Sequence, residues 1–287
     1  MEQFGGAGHS TEIVKRLSEK GLLIGIDRDE EALEAAKKKL EQYKNVKYVH
    51  GNHDEIDELL ESIGIHKVDG ILLDLGVSSY QLDEKARGFS YIGNAKLDMR
   101  MDKTQELTAE VVVNEYSEEE LAKLIWDYGE ERFSKTIAKN ICRQREKKRI
   151  ETTEELVKII ENSIPKAKQK EGHPAKRTFQ AIRIEVNNEI KPLYNTILNS
   201  IKLLNEGGRL AVITFHSLED RAVKEAFIEA EGKCTCPKDL PYCICNYTSY
   251  GKIITKKPIL PTVQEQEENT RSKSAKLRIF ERRKKKQ

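Results

Sequence analysis

An α/β fold interrupted by a helical block is predicted by three features of the sequence. Short apolar runs that end in an acid alternate with helix-like stretches, the middle of the chain carries helical signals alone, and the alternation resumes behind a Gly-Gly turn. Thr11 to Lys20 opens the series, with Ile13, Val14 and Leu17 at helical spacing and Gly21 as its stop. Leu22 to Ile26 is a buried-strand run ending at Asp27. Glu30 to Gln42, rich in Ala, Glu, Lys and Leu, predicts a helix, Val46 to Val49 a strand, and Glu55 to Ile63 a third helix. Val68 to Leu73 is a strand apolar enough for burial on both faces of a parallel sheet, and it too ends in an acid, Asp74. This rhythm is that of βαβ units.

From Thr108 to about Lys191 only helices are predicted, with Ser117 and Thr152 as caps ahead of acidic first turns. Basic residues crowd this part: Lys135, Lys139, Arg143, Arg145, then Lys147-Lys148-Arg149, and later Lys176-Arg177. A helix over Pro192 to Leu204, a turn at Gly207-Gly208 and a strand from Arg209 to Phe215 return the chain to α/β. The tail after Cys234 holds paired cysteines, a mixed segment over 252–263 and a basic end at 281–287.

The 287 residues, 38% apolar and 34% charged with a formal net charge of +2, describe a globular chain of one large or two modest domains. No stretch approaches the roughly 18 apolar residues of a membrane span, and no signal-peptide pattern opens the chain, so a cytoplasmic protein with no membrane partner is expected. Five cysteines are too few for a disulfide scaffold.

Four groups of residues carry candidate chemistry. Gly5-Gly6-Ala7-Gly8-His9-Ser10 precedes a helix, and Asp27 ends the next strand. Small residues admit a ligand close to the backbone and an acid accepts from ribose hydroxyls, as in dinucleotide and S-adenosylmethionine sites. An ordinary turn is the alternative. Thr11 replaces the third glycine of the dinucleotide fingerprint, which disfavours a dehydrogenase. Asp74 to Ser79 leaves a strand at the carboxyl edge, where open α/β sheets bind ligands. Phe215-His216-Ser217-Leu218-Glu219-Asp220-Arg221 is dense in polar groups, but without a G-x-S-x-G elbow its His-Ser pair does not make a hydrolase. Cys234, Cys236, Cys243 and Cys245 are either four thiolates for zinc or a reduced surface loop, their spacing departs from the usual knuckles, and no metal is assigned. Cys142 reads as a packing residue. The basic clusters favour a polyanion partner.

Together these motifs resemble one family. Gly6 to Ser10, Ile26-Asp-Arg-Asp29, Leu72 to Ser79 with Gln81-Leu-Asp83, Arg87-Gly-Phe-Ser90, Leu97 to Asp102, Gly129 to Arg132, Arg177 to Ala181, Phe215 to Arg221 and Arg271 to Arg278 match in order. They resemble the bacterial S-adenosylmethionine-dependent methyltransferases that modify N4 of a cytosine in the decoding region of 16S ribosomal RNA. The resemblance implies a Rossmann-like class I methyltransferase domain at 1–105 and 191–287 and a helical substrate-recognition insertion at 106–190. It implies S-adenosylmethionine as cofactor and 16S rRNA or the small ribosomal subunit as partner, with a dimer as one candidate assembly.

The family's cofactor contacts carry over to Ala7, Gly8, His9, Asp27, Asp74 and Gln81, and to His53, where the family usually has phenylalanine. Related amino-methyltransferases use an Asp/Asn-Pro-Pro-aromatic loop to hold the target amine. Here Asp74-Leu-Gly-Val-Ser stands instead, and the candidate catalytic groups are Asp74, Asp98, Asp102 and His216. The target base has to be unpaired or flipped out. Only Met1 to Phe4 precede Gly5, so the first strand of the family's sheet is expected to be missing, with edges exposed on both neighbours. The alternative that follows is a noncatalytic RNA-binding remnant of the family.

Overall fold

The computed structural model describes residues 8–232 and 248–286, and the chain divides into two compact units, residues 1–76 with 190–287 and residues 77–189. In the first, helix α1 (Gly8–Val14) is followed by hydrogen-bonded turns that take Leu17 back toward Ile13. It begins earlier and ends sooner than the predicted helix. Strand β1 (Leu23–Asp27) is buried at all five positions, which explains its unbroken apolar run. Helix α2 (Glu30–Lys39) starts where Asp29 accepts from Glu31 N, with acids in its first turn and three lysines in its last, all favourable to the helix dipole.

Strand β2 (Val46–His50) pairs parallel to β1, from Leu23 opposite Val46 to Asp27 opposite His50. Helix α3 (Ile56–Ser62) then leads to β3 (Val68–Asp74). The chain leaves this unit after Gly76 and returns to it at Ile190.

The second unit opens on α4 (Ser79–Asp83) and continues through α5 (Ala109–Glu115), α6 (Glu118–Gly129), α7 (Ser134–Arg145), α8 (Thr153–Ser163) and α9 (Lys176–Asn187). Ser117 and Thr152 cap α6 and α8 in reciprocal boxes with Glu120 and Glu155, as their spacing predicts. The apolar stripes of these helices form one core around Val112, Ile125, Ile137, Leu156 and Phe179. Asn187 ties the preceding loop to α9, accepting from Met101 N at 2.8 Å and donating to Met99 O at 2.8 Å.

In the first unit, α10 (Leu193–Leu203) leads into β4 (Leu204–Thr214), then α11 (Ser217–Glu231), β5 (Ser249–Ile253), α12 (Val263–Glu268) and β6 (Lys276–Lys286). β4 lies parallel to β3, β6 antiparallel to β4, and β5 antiparallel to β6, giving the order β3-β4-β6-β5. The extended segment starts before the predicted Gly-Gly turn. Gly207, at φ +82°, sits inside it where the register with β3 shifts. β1 and β2 form a separate two-stranded sheet, and a cavity of about 520 Å³ lies between the neighbouring edges of β1 and β3, lined by Leu22 to Ile24 and Val68 to Leu72. Ile24, Ile71, Leu73, Val212, Phe227 and Phe280 belong to the core of this unit. Among the described residues no helix is long and apolar enough to cross a membrane.

Candidate functional site

Each parallel strand of the first unit ends in a polar residue, because the apolar run stops where the chain leaves the sheet. Asp27 closes β1 and is buried, its Oδ1 accepting from Asp29 N at 2.9 Å. The same turn draws in the exit of β2, where Gly51 N donates to Asp27 O at 3.1 Å and His50 Nε2 lies 3.2 Å from Arg28 O. Asn52, His53 and Asp54 follow. Asp74 closes β3 and leads through Leu75 to Gly76, whose φ of +84° turns the chain in a conformation that glycine alone adopts freely. A Cβ there would still meet Phe215 and Glu219 only at ordinary contact distance, 3.7 and 3.8 Å.

β4 delivers Phe215 and His216 to the start of α11. Glu219 Oε2 accepts from Phe215 N at 2.7 Å and His216 N at 3.3 Å, while Glu219 N donates to His216 Nδ1 at 3.4 Å. This reciprocal cap satisfies helix-end donors and holds a carboxylate that is 1% exposed where the helix dipole favours it. His216 Nε2 lies 3.1 Å from Glu219 Oε1 without the alignment of a hydrogen bond. Because Nδ1 accepts, a neutral His216 carries its proton on Nε2.

These exits act on one another electrostatically. Burial, with the Arg28 guanidinium second, pushes the His53 imidazole down to about 4 against the pull of Glu219, so the ring is neutral at pH 7. Burial raises the Asp74 carboxyl above its ordinary value, with Glu219 adding to the rise and His9 opposing it. His9 Nε2 stands 3.9 Å from Asp74 Oδ2 on a half-exposed side chain. Burial lifts Asp54 as well.

Five buried atoms here have no hydrogen-bond partner among the described residues: Asn52 Oδ1, His53 Nε2, Asp54 Oδ1, Asp74 Oδ1 and His216 Nε2. Buried polar atoms are nearly always satisfied within a fold, so such a gathering points to a ligand that supplies the missing partners. S-adenosylmethionine, the cofactor that the resemblance implies, fits in kind. Its amine, hydroxyls and adenine amino group are donors, its sulfonium is positive, and Asp27, Asp54, Asp74 and Glu219 offer acceptors and negative charge.

The other candidate residues divide between the two units. Gly8 opens α1 beside His9, and Ala7 lies outside the described residues, as do Cys234, Cys236, Cys243 and Cys245. Asp74 and His216 share the cluster around Glu219. Gln81, Asp98 and Asp102 belong to the second unit. Gln81 completes the cap of α4, its Oε1 accepting from Ser78 N at 3.0 Å. Asp98 grips Arg100 through both oxygens, at 2.8 Å to Nε and 2.8 Å to Nη2. Burial works to raise the Asp98 pKa, yet this guanidinium holds it below the ordinary carboxylate value. Asp102 Oδ1 accepts from Thr104 N and Oγ1. Cys142 is half-buried on α7, and burial raises its thiol. Glu219, Asn52 and Asp54 are site residues that the sequence reading did not single out. The three-residue spacing of His216 and Glu219 was the available signal, since it is that of a capping box.

The model of the MraW methylase family matches residues 2–283. A protein of Clostridium botulinum (strain Kyoto / Type A2) named ribosomal RNA small subunit methyltransferase H is 58% identical over 275 residues, covering 96% of this chain and 89% of the relative. One of the same name from Clostridioides difficile (strain 630) is 57% identical over 279 residues, covering 96% and 90%.

Proposed function

The chain belongs to the MraW methylase family, and from that premise we propose that it transfers the methyl group of S-adenosylmethionine to N4 of a cytosine in the decoding region of 16S ribosomal RNA. The observation that carries the site is the set of partnerless acceptors at the strand ends, Asn52, Asp54 and Asp74. When bound, the cofactor supplies an electrophilic methyl group on a sulfonium.

Asp27 accepts from the ribose hydroxyls, and neutral His53 offers a ring for the adenine. Gly8 and His9 begin the helix beside the methionine end. Asp74 faces the target amine. Cytosine N4 is a weak nucleophile because its lone pair is delocalised into the ring, so an acceptor that holds the amine hydrogens favours the reactive geometry and then takes one proton. Burial makes Asp74 a stronger base than an exposed carboxylate, which suits that role. The other candidates are engaged otherwise. Asp98 holds Arg100, Asp102 holds Thr104, and His216 presents a protonated Nε2 that orients rather than accepts. Gln81, a further cofactor contact that the resemblance implies, has its side-chain oxygen engaged in the cap of α4. The helical segment 106–190 recognises the RNA, and the enzyme works in the cytoplasm on 16S rRNA or the small subunit that contains it.

Isothermal titration of S-adenosylmethionine, followed by a methylation assay on small-subunit RNA, tests this. Binding near one-to-one with label transferred to the RNA is the expected result. RNA binding with no methyl transfer would overturn the proposal in favour of a noncatalytic RNA-binding protein.

A further inference from the structure

Most of the basic run of the helical unit falls into two sets with different surroundings, with the exposed Lys147, in the turn after α7, in neither. Arg145 donates to Val113 O at 2.9 Å, Lys148 pairs with Glu155 at 2.6 Å, and Arg149 pairs with Glu110 at 2.7 Å and Glu115 at 3.1 Å. These cations fasten α7 and the loop after it to their neighbours. Lys135, Lys139 and Arg143 do not. They stand one turn apart along α7, opposite the buried Ile137, Ala138 and Ile141, and all three are exposed. Among the described residues they have no ion-pair or hydrogen-bond partner.

Stability alone does not account for this row. α2, α6, α8 and α11 begin with acids in the first turn, whereas α7 has none and has Lys135 there, which opposes the helix dipole. No carboxylate interrupts Ser134–Arg145, so the row presents charge of one sign. Four residues at about 1.5 Å rise put neighbouring cations roughly 6 Å apart along the axis, a repeat suited to successive phosphates of an extended strand. Between the cations lie Thr136 and Gln144, exposed hydrogen-bonding groups, and no large apolar side chain of α7 is exposed. A protein partner would call for apolar anchors on such a face.

We infer that Lys135, Lys139 and Arg143 form a phosphate-binding row for a single-stranded RNA segment. The inference rests on the methyltransferase reading for the identity of the nucleic acid, and it assigns these three side chains to backbone contacts that carry no sequence preference.

The test measures binding of a fluorescein-labelled single-stranded RNA oligonucleotide to the full chain at several salt concentrations. The chain with Lys135→Gln, Lys139→Gln and Arg143→Gln is compared with a charge-matched control, Lys38→Gln, Lys256→Gln and Lys257→Gln. Each phosphate contact contributes about 0.7 to the slope of log affinity against log salt, so the α7 triple is expected to lower the slope by about 2 and the control to leave it unchanged. Equal losses in both variants would mean a diffuse field and overturn the inference. An unchanged slope would overturn it too, leaving the row to an acidic protein surface. Should the triple variant melt early, Lys139→Gln alone is expected to lower the slope by about 0.7. S-adenosylmethionine titration and methyl transfer on the same preparations separate the two readings. Steep RNA binding without transfer defeats the enzyme assignment and leaves the row intact, whereas transfer with an unchanged slope does the reverse.

Discussion

Replacing His53 with phenylalanine probes the electrostatics of the site through folding stability alone. The imidazole is held at about 4 in the folded chain against 6.5 for an ordinary histidine. Above pH 6.5 it is neutral whether the chain is folded or not, so its contribution is constant. As pH falls from 6.5 to 4, the unfolded chain takes up a proton that the folded chain refuses, and stability drains away through this group. Two and a half units at about 1.36 kcal/mol each give roughly 3 kcal/mol, an upper figure because the ring keeps some contact with solvent although its Nε2 is enclosed. Phenylalanine cannot take up that proton and also removes the partnerless Nε2. His53→Phe is therefore expected to be about 1 kcal/mol more stable at pH 7 and to lose up to roughly 3 kcal/mol less on going to pH 4. Urea denaturation of both chains at pH 7, 6, 5 and 4 gives the difference directly. Parallel stability curves would refute the reasoning, since they would mean that the ring is protonated freely in the folded state.

Asp74→Asn removes a charge that burial disfavours, so the melting temperature is expected to hold or rise while methyl transfer falls by about 10² or more, and retained transfer would remove Asp74 as the proton acceptor. Asp98→Ala strips Arg100 of its two-oxygen partner and is expected to cost about 1–2 kcal/mol in denaturant titrations at pH 7. Because the Asp98 pKa is lowered in the fold, its stabilisation is present above pH 3.8 and is lost as pH falls further, so wild type and variant should converge in acid. Gly76→Ala has room for its methyl group but not the backbone conformation for it, and a loss of about 1–2 kcal/mol in thermal melts, with no aggregation, is expected.

What could be read from the sequence follows burial. β1 shows as an apolar run because burial at all five positions leaves no polar position to break it, whereas β3, expected to be buried on both faces, is buried only at Ile71 and Leu73 and exposes Asp69 and Gly70; the final acids show because each run stops at the sheet's edge. The caps of α6 and α8 were legible for a local reason: the Ser/Thr-x-x-Glu spacing is itself the hydrogen-bonding pattern. β6 was not legible. Residues 281–287 look like a solvated basic end, yet 281–286 continue a strand in which Phe280 is fully buried against Phe227, Arg278 pairs with Asp220, and Glu281 pairs with Arg209 of the adjacent strand. Its strand character comes from β4 and β5, partners distant in the sequence, and no window of local periodicity contains them.

The site divides along the same line. Asp27 and Asp74 stand out in the sequence because strand ends advertise them, whereas the motif from Phe215 to Arg221 invites attention to its His-Ser pair and hides the residue that organises it. Glu219 acts by spacing and direction: its carboxylate collects the amides of Phe215 and His216, its own amide occupies His216 Nδ1, and its charge reaches both Asp74 and His53. The hydrogen bonds that start α11 thereby decide the chemistry of its first residues. They leave His216 with its proton on Nε2, which makes it a donor, and they keep a negative charge near Asp74, which makes that carboxyl more basic. The cap of one helix thus separates two residues that look equally eligible in the sequence, and that difference is the ground on which we propose Asp74, and not His216, as the group that takes the proton from the amine.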